Sequence, residues 1–291
     1  MAAAQPKLVV VVGPTASGKS ELAMKIARQF NGEIICADSR TIYKDMDIGT
    51  AKPSAVERLE VVHWGLDLVK PGQRYSAASF KSYAQDKIQD IQSRGKLPIM
   101  VGGTGLYIDG LLYDFSFVRT HRIHRLVYSS WSIEKLQKII TQKDWPLPEN
   151  FKNRRHLQAA AARRGRKGSR STNLPEGVIL IGLMPKDEIL KERIAKRAEA
   201  MFAQGIVQET IDLLSKYSRR RILKTGAIIY KIVLRFINQE IDEAEAINLF
   251  KIADWQYARR QKTWFKRNAH IKWYDSPDQA FKAVKKQLLN T

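Results

Sequence analysis

Only one cysteine, Cys36, occurs in the 291 residues. That excludes an intramolecular disulfide and any zinc site built from several cysteines, and it fits a reducing compartment. Long apolar runs are missing as well: no stretch approaches the ~20 residues that a membrane-spanning helix needs. The first apolar segment, Leu8–Val12, is too short for a signal-peptide core, so the protein is expected to be cytoplasmic, with no membrane association. Acidic residues are scarce beside basic ones, 29 against 50, giving a net charge of +21 and a pI near 10.0. Such an imbalance says little about fold, but it predicts attraction to polyanions. A hydrophobic fraction of 44% keeps the chain in the globular class.

What is present is an alternation of two periodicities. Short apolar runs at Leu8–Val12, Glu33–Ala37, Leu97–Val101 and Val178–Leu183 read as buried parallel strands. Helical stripes lie between them. Lys19–Phe30 repeats Leu22, Ala23, Ile26, Ala27 and Phe30, and Ser76–Ser93 opens on an N-capping serine and repeats Phe80, Tyr83, Ala84, Ile88 and Ile91. This predicts an α/β fold, a parallel sheet flanked by helices. From about Phe115 the strand pattern stops and the sequence becomes basic and helical. It ends in the acid-free run Arg163-Arg-Gly-Arg-Lys-Gly-Ser-Arg170, predicted to be mobile. The expected organisation is a core in two parts, 1–114 and 177–291, around an inserted, basic helical subdomain at 115–176. After Val178–Leu183 only helices are expected: Asp187–Gln204, Ile206–Tyr217, Lys224–Asn238 and Glu243–Arg267.

Gly13-Pro14-Thr15-Ala16-Ser17-Gly18-Lys19-Ser20 matches G-x-x-x-x-G-K-[ST] in full, after the first strand and at a helix start. The glycines let backbone N–H groups converge on phosphate oxygens at the positive end of a helix. Lys19 adds a full charge, and the Ser20 hydroxyl can ligate Mg²⁺. Two absences argue against an ordinary ATPase or GTPase. The third strand ends Val101-Gly-Gly-Thr-Gly105, without the aspartate of a Walker B strand, and no Asn-Lys-x-Asp motif occurs. Asp38 closes the second strand instead, at the sheet edge where α/β proteins bind ligands. It is a candidate base or outer metal ligand, or merely a turn residue.

Together these segments resemble the tRNA dimethylallyltransferase family over nearly the whole chain. The P-loop, Ala37-Asp38-Ser39 with Ile42-Tyr43, Met46-Asp-Ile-Gly-Thr-Ala-Lys-Pro53, Val101-Gly-Gly-Thr-Gly-Leu-Tyr-Ile108 and Tyr257-Ala-Arg-Arg-Gln-Lys-Thr-Trp-Phe265 carry the resemblance. It implies prenyl transfer from dimethylallyl diphosphate to the N6 of an adenosine beside the anticodon, with Mg²⁺ as cofactor. The P-loop, with Arg193 and Arg197 one helical turn apart, would hold the diphosphate. Asp38 would take the N6 proton, and Thr104 would contact substrate near it. The tRNA anticodon stem-loop is the expected partner. Its contacts would come from Asp38, Ser39, Arg40, Thr41, Thr104, Arg125, Arg154, Arg155, Ile229, Tyr230, Lys231, Arg259, Arg260, Gln261, Thr263, Trp264 and Lys266. Basic clusters at Lys152–Arg170, Lys216–Lys224 and Arg259–Arg267 suit that partner. A monomer is the simplest expectation.

Four departures from the family pattern stand out: Thr41 for glutamine, Gln158 for arginine, Ile229 for glycine, and Asp254-Trp255 for Thr-Arg. All four are expected on tRNA-facing surfaces, away from the diphosphate. No C-terminal zinc finger of the eukaryotic kind is expected, since no cysteine follows Cys36. Three other functions compete: prenylation of free adenine nucleotide, which needs neither the insertion nor the basic clusters; a P-loop kinase, which leaves Gly102–Tyr107 unexplained; and a non-enzymatic RNA binder with a relic P-loop, which leaves Lys19, Ser20, Asp38 and Thr104 unexplained.

Overall fold

The computed structural model describes residues 8–118, 120 and 122–290; the side chains of Arg122 and Arg125 are outside that set, so the expectation for Arg125 lies outside the described residues. Six strands form one parallel sheet in the order β3-β2-β4-β1-β5-β6. They are β1 (Leu8–Val12), β2 (Gly32–Cys36), β3 (His63–Trp64), β4 (Leu97–Gly102), β5 (Val178–Leu183) and β6 (Lys272–Tyr274). The central strands are mostly apolar, and β1 is an unbroken Leu-Val run, because helices cover both faces of a parallel sheet.

The helices are α1 (Lys19–Gln29), α2 (Ala55–Glu60), α3 (Ala77–Ser93), α4 (Gly105–Leu112), α5 (Arg122–Val127), α6 (Ile133–Gln142) and α7 (Arg154–Arg163). They continue with α8 (Asp187–Ala203), α9 (Ile206–Lys216), α10 (Arg219–Leu223), α11 (Ile228–Ile237), α12 (Glu243–Phe265) and α13 (Pro277–Leu289). Ser76 caps α3 as expected, its hydroxyl accepting from Ser79 N. Two expectations are corrected. The helix predicted over Lys224–Asn238 is really α11 alone, preceded by the separate α10. Gly226 sits at φ 74° between them, and the left-handed turn ends α10. β6 also overturns the expectation of helices only after β5; three residues are too few for a period to register in the sequence.

Two compact units emerge, Met1–Leu112 with Leu174–Thr291, and Tyr113–Asn173. In the first, Val9, Val11, Leu22, Ile26, Ile34, Ile99 and Ile181 pack with Phe281 of α13. A second cluster joins α8, α9, α11 and α12 to Ile42 and Met46. The second unit has its own small core of Leu136, Ile140, Leu157 and Ala161. Its basic run is tied down at one end, where Ser116 N donates to Ser169 O at 2.9 Å and Ser169 N donates to Ser116 Oγ at 2.6 Å. Among the described residues no helix is long and apolar enough to cross a membrane.

One buried carboxylate braces the sheet edge. Glu33 on β2 accepts from both Arg94 terminal nitrogens, from Lys96 at 2.9 Å and from Trp64 Nε1 at 2.8 Å. Its Arg94 partner foremost holds the Glu33 carboxyl down at about 2. A depressed carboxylate stabilises the fold above its unfolded pKa and loses that stabilisation as pH falls through the folded value. Glu33→Gln is therefore expected to lower stability by on the order of 2 kcal/mol at pH 7, discounted for the exposed Arg94. The gap should close between pH 4.5 and about 2 in thermal melts; a pH-independent gap would mean packing, not charge.

Candidate active site

β1 leads directly into the Gly13–Ser20 loop, and α1 starts at Lys19 with Gly18 as a left-handed N-cap at φ 92°. Ala16 is also left-handed, at φ 60°. The loop thus wraps the N-terminus of α1 and presents its amides where an anion is favoured. Lys19 Nζ donates to Pro14 O at 2.6 Å. Burial pushes its ammonium down to about 8, opposed most strongly by the field of Asp38. Ser17 Oγ is buried without a partner, and Ser20 is exposed at the first turn of the helix.

A cavity of about 290 Å³ opens against this loop. Asp38 lines it from the end of β2, with Arg40 and Thr41, and so do Cys36, Ile34 and Val101 from the sheet. Asp38 Oδ1 accepts from Arg40 N at 2.8 Å, closing an Asx turn. Thr104 pins that turn from just beyond the neighbouring strand β4, its Oγ1 accepting from Ser39 N at 3.0 Å. Its hydroxyl is thereby engaged by the Asp38–Ser39 turn.

Two helices from the second half of the chain complete the site. Arg197 of α8 donates through Nη1 to Thr15 Oγ1 at 2.5 Å, and its buried Nε has no partner. Arg193, one turn earlier, reaches Ala16 O at 3.4 Å from the exposed side. The i, i+4 spacing therefore does bring both guanidinium groups to the loop. From α12, Gln261 bridges the two glycine motifs. Its Oε1 accepts from Thr15 N at 2.8 Å and its Nε2 donates to Gly103 O at 2.9 Å. A Cβ on Gly103 would fall 2.0 Å from that amide nitrogen, so only glycine permits the strut. One turn before Gln261, the Tyr257 ring carries Arg40 at 3.9 Å. Burial pushes the Tyr257 hydroxyl up to about 12.

The IPP transferase family model matches residues 41–268, and the isopentenyl transferase model matches residues 6–67. The first spans well over half of the chain. The chain belongs to the IPP transferase family. The tRNA dimethylallyltransferases of Macrococcus caseolyticus and Halothermothrix orenii are each 35% identical to it over 97% of this chain, covering 94% and 91% of their own lengths. A solved tRNA isopentenylpyrophosphate transferase from Bacillus halodurans aligns with a TM-score of 0.72 at 29% identity, over 98% of both chains. A eukaryotic dimethylallyltransferase acting on tRNA has the same fold, with a TM-score of 0.75 at 24% identity, over 96% of this chain and 76% of that one.

Against that family pattern, several expected tRNA contacts prove to be interior. Ile229 and Tyr230 are 1% and 0% exposed and sit in the helical core, where the isoleucine fills the space a glycine would leave. Gln261 is buried with both ends of its amide engaged. Arg154, by contrast, is exposed as expected, while its guanidinium also donates within the second unit to Trp131 O at 2.9 Å and Ser129 O at 3.1 Å. The four departures are likewise not all on the surface. Thr41 and Asp254 are buried, Thr41 lines the cavity, and the field of Asp254 raises the Lys19 pKa. Gln158 donates to Ser129 O at 2.9 Å. Exposed, as expected, are Arg155, Lys231, Arg259, Arg260, Thr263, Trp264 and Lys266.

Sequence reasoning missed the wall formed by Thr50, Ala51, Lys52 and Pro53, with Glu57 and His63 beside it. The Met46–Pro53 match was its signal, but nothing local said which way the segment faced. Lys52 holds it in place: its wholly buried side chain donates to Asp67 at 2.5 Å, Asp47 at 2.7 Å and Tyr43 O at 2.7 Å.

Proposed function

We propose that this IPP transferase transfers a dimethylallyl group from dimethylallyl diphosphate to the N6 of an adenosine beside the anticodon of tRNA, releasing diphosphate. The observation that carries the reading is one cavity with a phosphate cradle at Lys19 and a carboxylate, Asp38, on the same wall system. Diphosphate seated on the Gly13–Ser20 loop, under Lys19 and Arg197, leaves the allylic C1 pointing away from the cradle. The N6 lone pair attacks C1, the C1–O bond breaks, the diphosphate departs with the bonding electrons, and the N6 proton passes to Asp38. The Thr104 hydroxyl holds the Asp38–Ser39 turn in place.

Among the described residues no three His, Cys, Asp or Glu side chains gather as a metal cluster. Magnesium nonetheless fits the donors present, since it retains waters and takes phosphate oxygens, and Ser20 supplies one protein hydroxyl beside the cradle. When bound, it would neutralise charge on the departing diphosphate.

The target adenine must leave its stack to enter the cavity, at a cost of a few kcal/mol. Outside, an open groove on α12 is lined by Arg259, Arg260, Thr263, Trp264 and Arg267, and suits an RNA backbone with an unstacked base. Replacing Arg259 and Arg267 with alanine is expected to raise KM for tRNA and to flatten its salt dependence by about one unit of log–log slope per lost phosphate contact. An unchanged slope would place the RNA elsewhere. The decisive assay incubates the protein with dimethylallyl diphosphate, Mg²⁺ and unmodified tRNA and looks for prenylated adenosine. Product with AMP but not tRNA, or ATP-dependent phosphorylation alone, would overturn the reading.

A further inference from the structure

Glu209 of α9 spends its whole carboxylate on one stretch of backbone that lies beside the cavity. Its Oε2 accepts from Asp47 N at 2.8 Å and Ile48 N at 2.7 Å. Its Oε1 accepts from Gly49 N at 3.0 Å and from the Tyr230 hydroxyl at 2.7 Å. Four donors fill the lone-pair positions of a single carboxylate. The segment is left-handed on either side of this anchor, at Asp45 (φ 64°) and Ala51 (φ 50°), conformations that L-residues hold only under constraint. The end of α9 secures Asp45 as well, through Lys216 at 3.0 Å and the Tyr217 hydroxyl at 2.7 Å. Tyr230 seats so closely that a Cβ on Gly49 would fall 2.5 Å from its ring.

What this clamp holds is a wall. Ala51, Lys52 and Pro53 line the 290 Å³ cavity and also line a second, more open groove of about 890 Å³ that runs past Ala55, Leu59 and Met201. The Ala51–Pro53 segment, together with Glu57 and Arg197, thus lies between the phosphate-bearing cavity and a larger, partly apolar groove. Were the wall to yield, the room for an allyl chain would extend into that groove.

We propose that Glu209 is a positioning residue that limits the length of the allyl donor: by pinning residues 47–49 it keeps the Ala51–Pro53 wall shut against chains longer than dimethylallyl. This rests on the reading of the cavity as the dimethylallyl diphosphate site. Glu209→Gln preserves the side-chain length but turns an amide N–H₂ towards donors that need an acceptor, so the anchor slackens while α9 keeps its packing.

The test measures kcat/KM for dimethylallyl and geranyl diphosphate with unmodified tRNA. Wild type is expected to favour the five-carbon donor strongly. Glu209→Gln should reduce that preference by at least ~10-fold, a scale set by what apolar pockets achieve per added carbon. Tyr230→Phe removes one donor and keeps the ring, and should shift the ratio the same way by less. It decides the matter if Glu209→Gln does not fold. A merely structural role would lower both donors in proportion, and an unchanged ratio in the folded variants overturns the inference. If wild type transfers no dimethylallyl group, the reading of the cavity falls and this inference with it. If it does and the ratio stands still, only the inference falls.

Discussion

Asparagine in place of Asp38 is expected to lower kcat for prenyl transfer by about 10²–10⁴-fold, the range of a general base, while tRNA binding stays near that of the unaltered protein. The adenine N6 amine is a weak nucleophile because its lone pair is delocalised into the ring. As it bonds to C1 it must shed a proton, and Asp38, just past the end of β2, is a carboxylate lining the cavity beyond the cradle. Asparagine is the informative change because of the local geometry. Asp38 Oδ1 accepts from Arg40 N at 2.8 Å, and an amide oxygen can do the same. The turn then survives, and with it the stacking of Arg40 on Tyr257. Alanine would remove base and turn together. Single-turnover rates with saturating tRNA, beside a direct tRNA binding curve, separate the outcomes. Comparable loss of binding and turnover would make Asp38 a recognition residue.

Lys19→Met should be nearly as severe, lowering kcat/KM for dimethylallyl diphosphate by about 10²–10³-fold. The departing diphosphate is the largest developing charge in the reaction, and Lys19 is the buried ammonium on its cradle. Methionine keeps the stem's volume and removes only the charge. Burial already disfavours that charge, which is why the Lys19 pKa is down at about 8. Removing it is therefore expected to leave the melting temperature level or slightly raised, a cost of function held against stability. Calorimetric titration with inorganic diphosphate should show most of the affinity gone and tRNA binding retained. Intact diphosphate affinity would move the cradle away from Lys19.

The contrast between those two residues and Gln261 shows what a sequence can disclose. Gly13–Ser20 and Asp38 act within a few residues of the strands that carry them, so their neighbours in the chain are also their neighbours in space. Strand β5 and helix α1 were legible for the same reason, as apolar runs of the right period. Gln261 was recognisable as part of a motif but assigned to the wrong face. Its partners, Thr15 and Gly103, lie 246 and 158 residues away, and no local pattern encodes such a pairing. Tyr230 and Ile229 were misplaced similarly. An aromatic and a β-branched residue in a basic neighbourhood look the same whether they face solvent or core, until the helices pack.

By itself, then, the chain's chemistry determined the phosphate cradle, the α/β class and the attraction to a polyanion, because each follows from residue type and short spacing. Only the tertiary structure decided that Gln261 of α12 ties the two glycine motifs together, that the Arg154 guanidinium also donates to backbone within the second unit, that Thr41 lines the cavity and that Asp254 is buried where its field reaches Lys19. It also decided that Glu209 holds a wall. Those assignments depend on which distant side chains meet across packed helices, and burial and hydrogen-bond pairing are settled at that level alone.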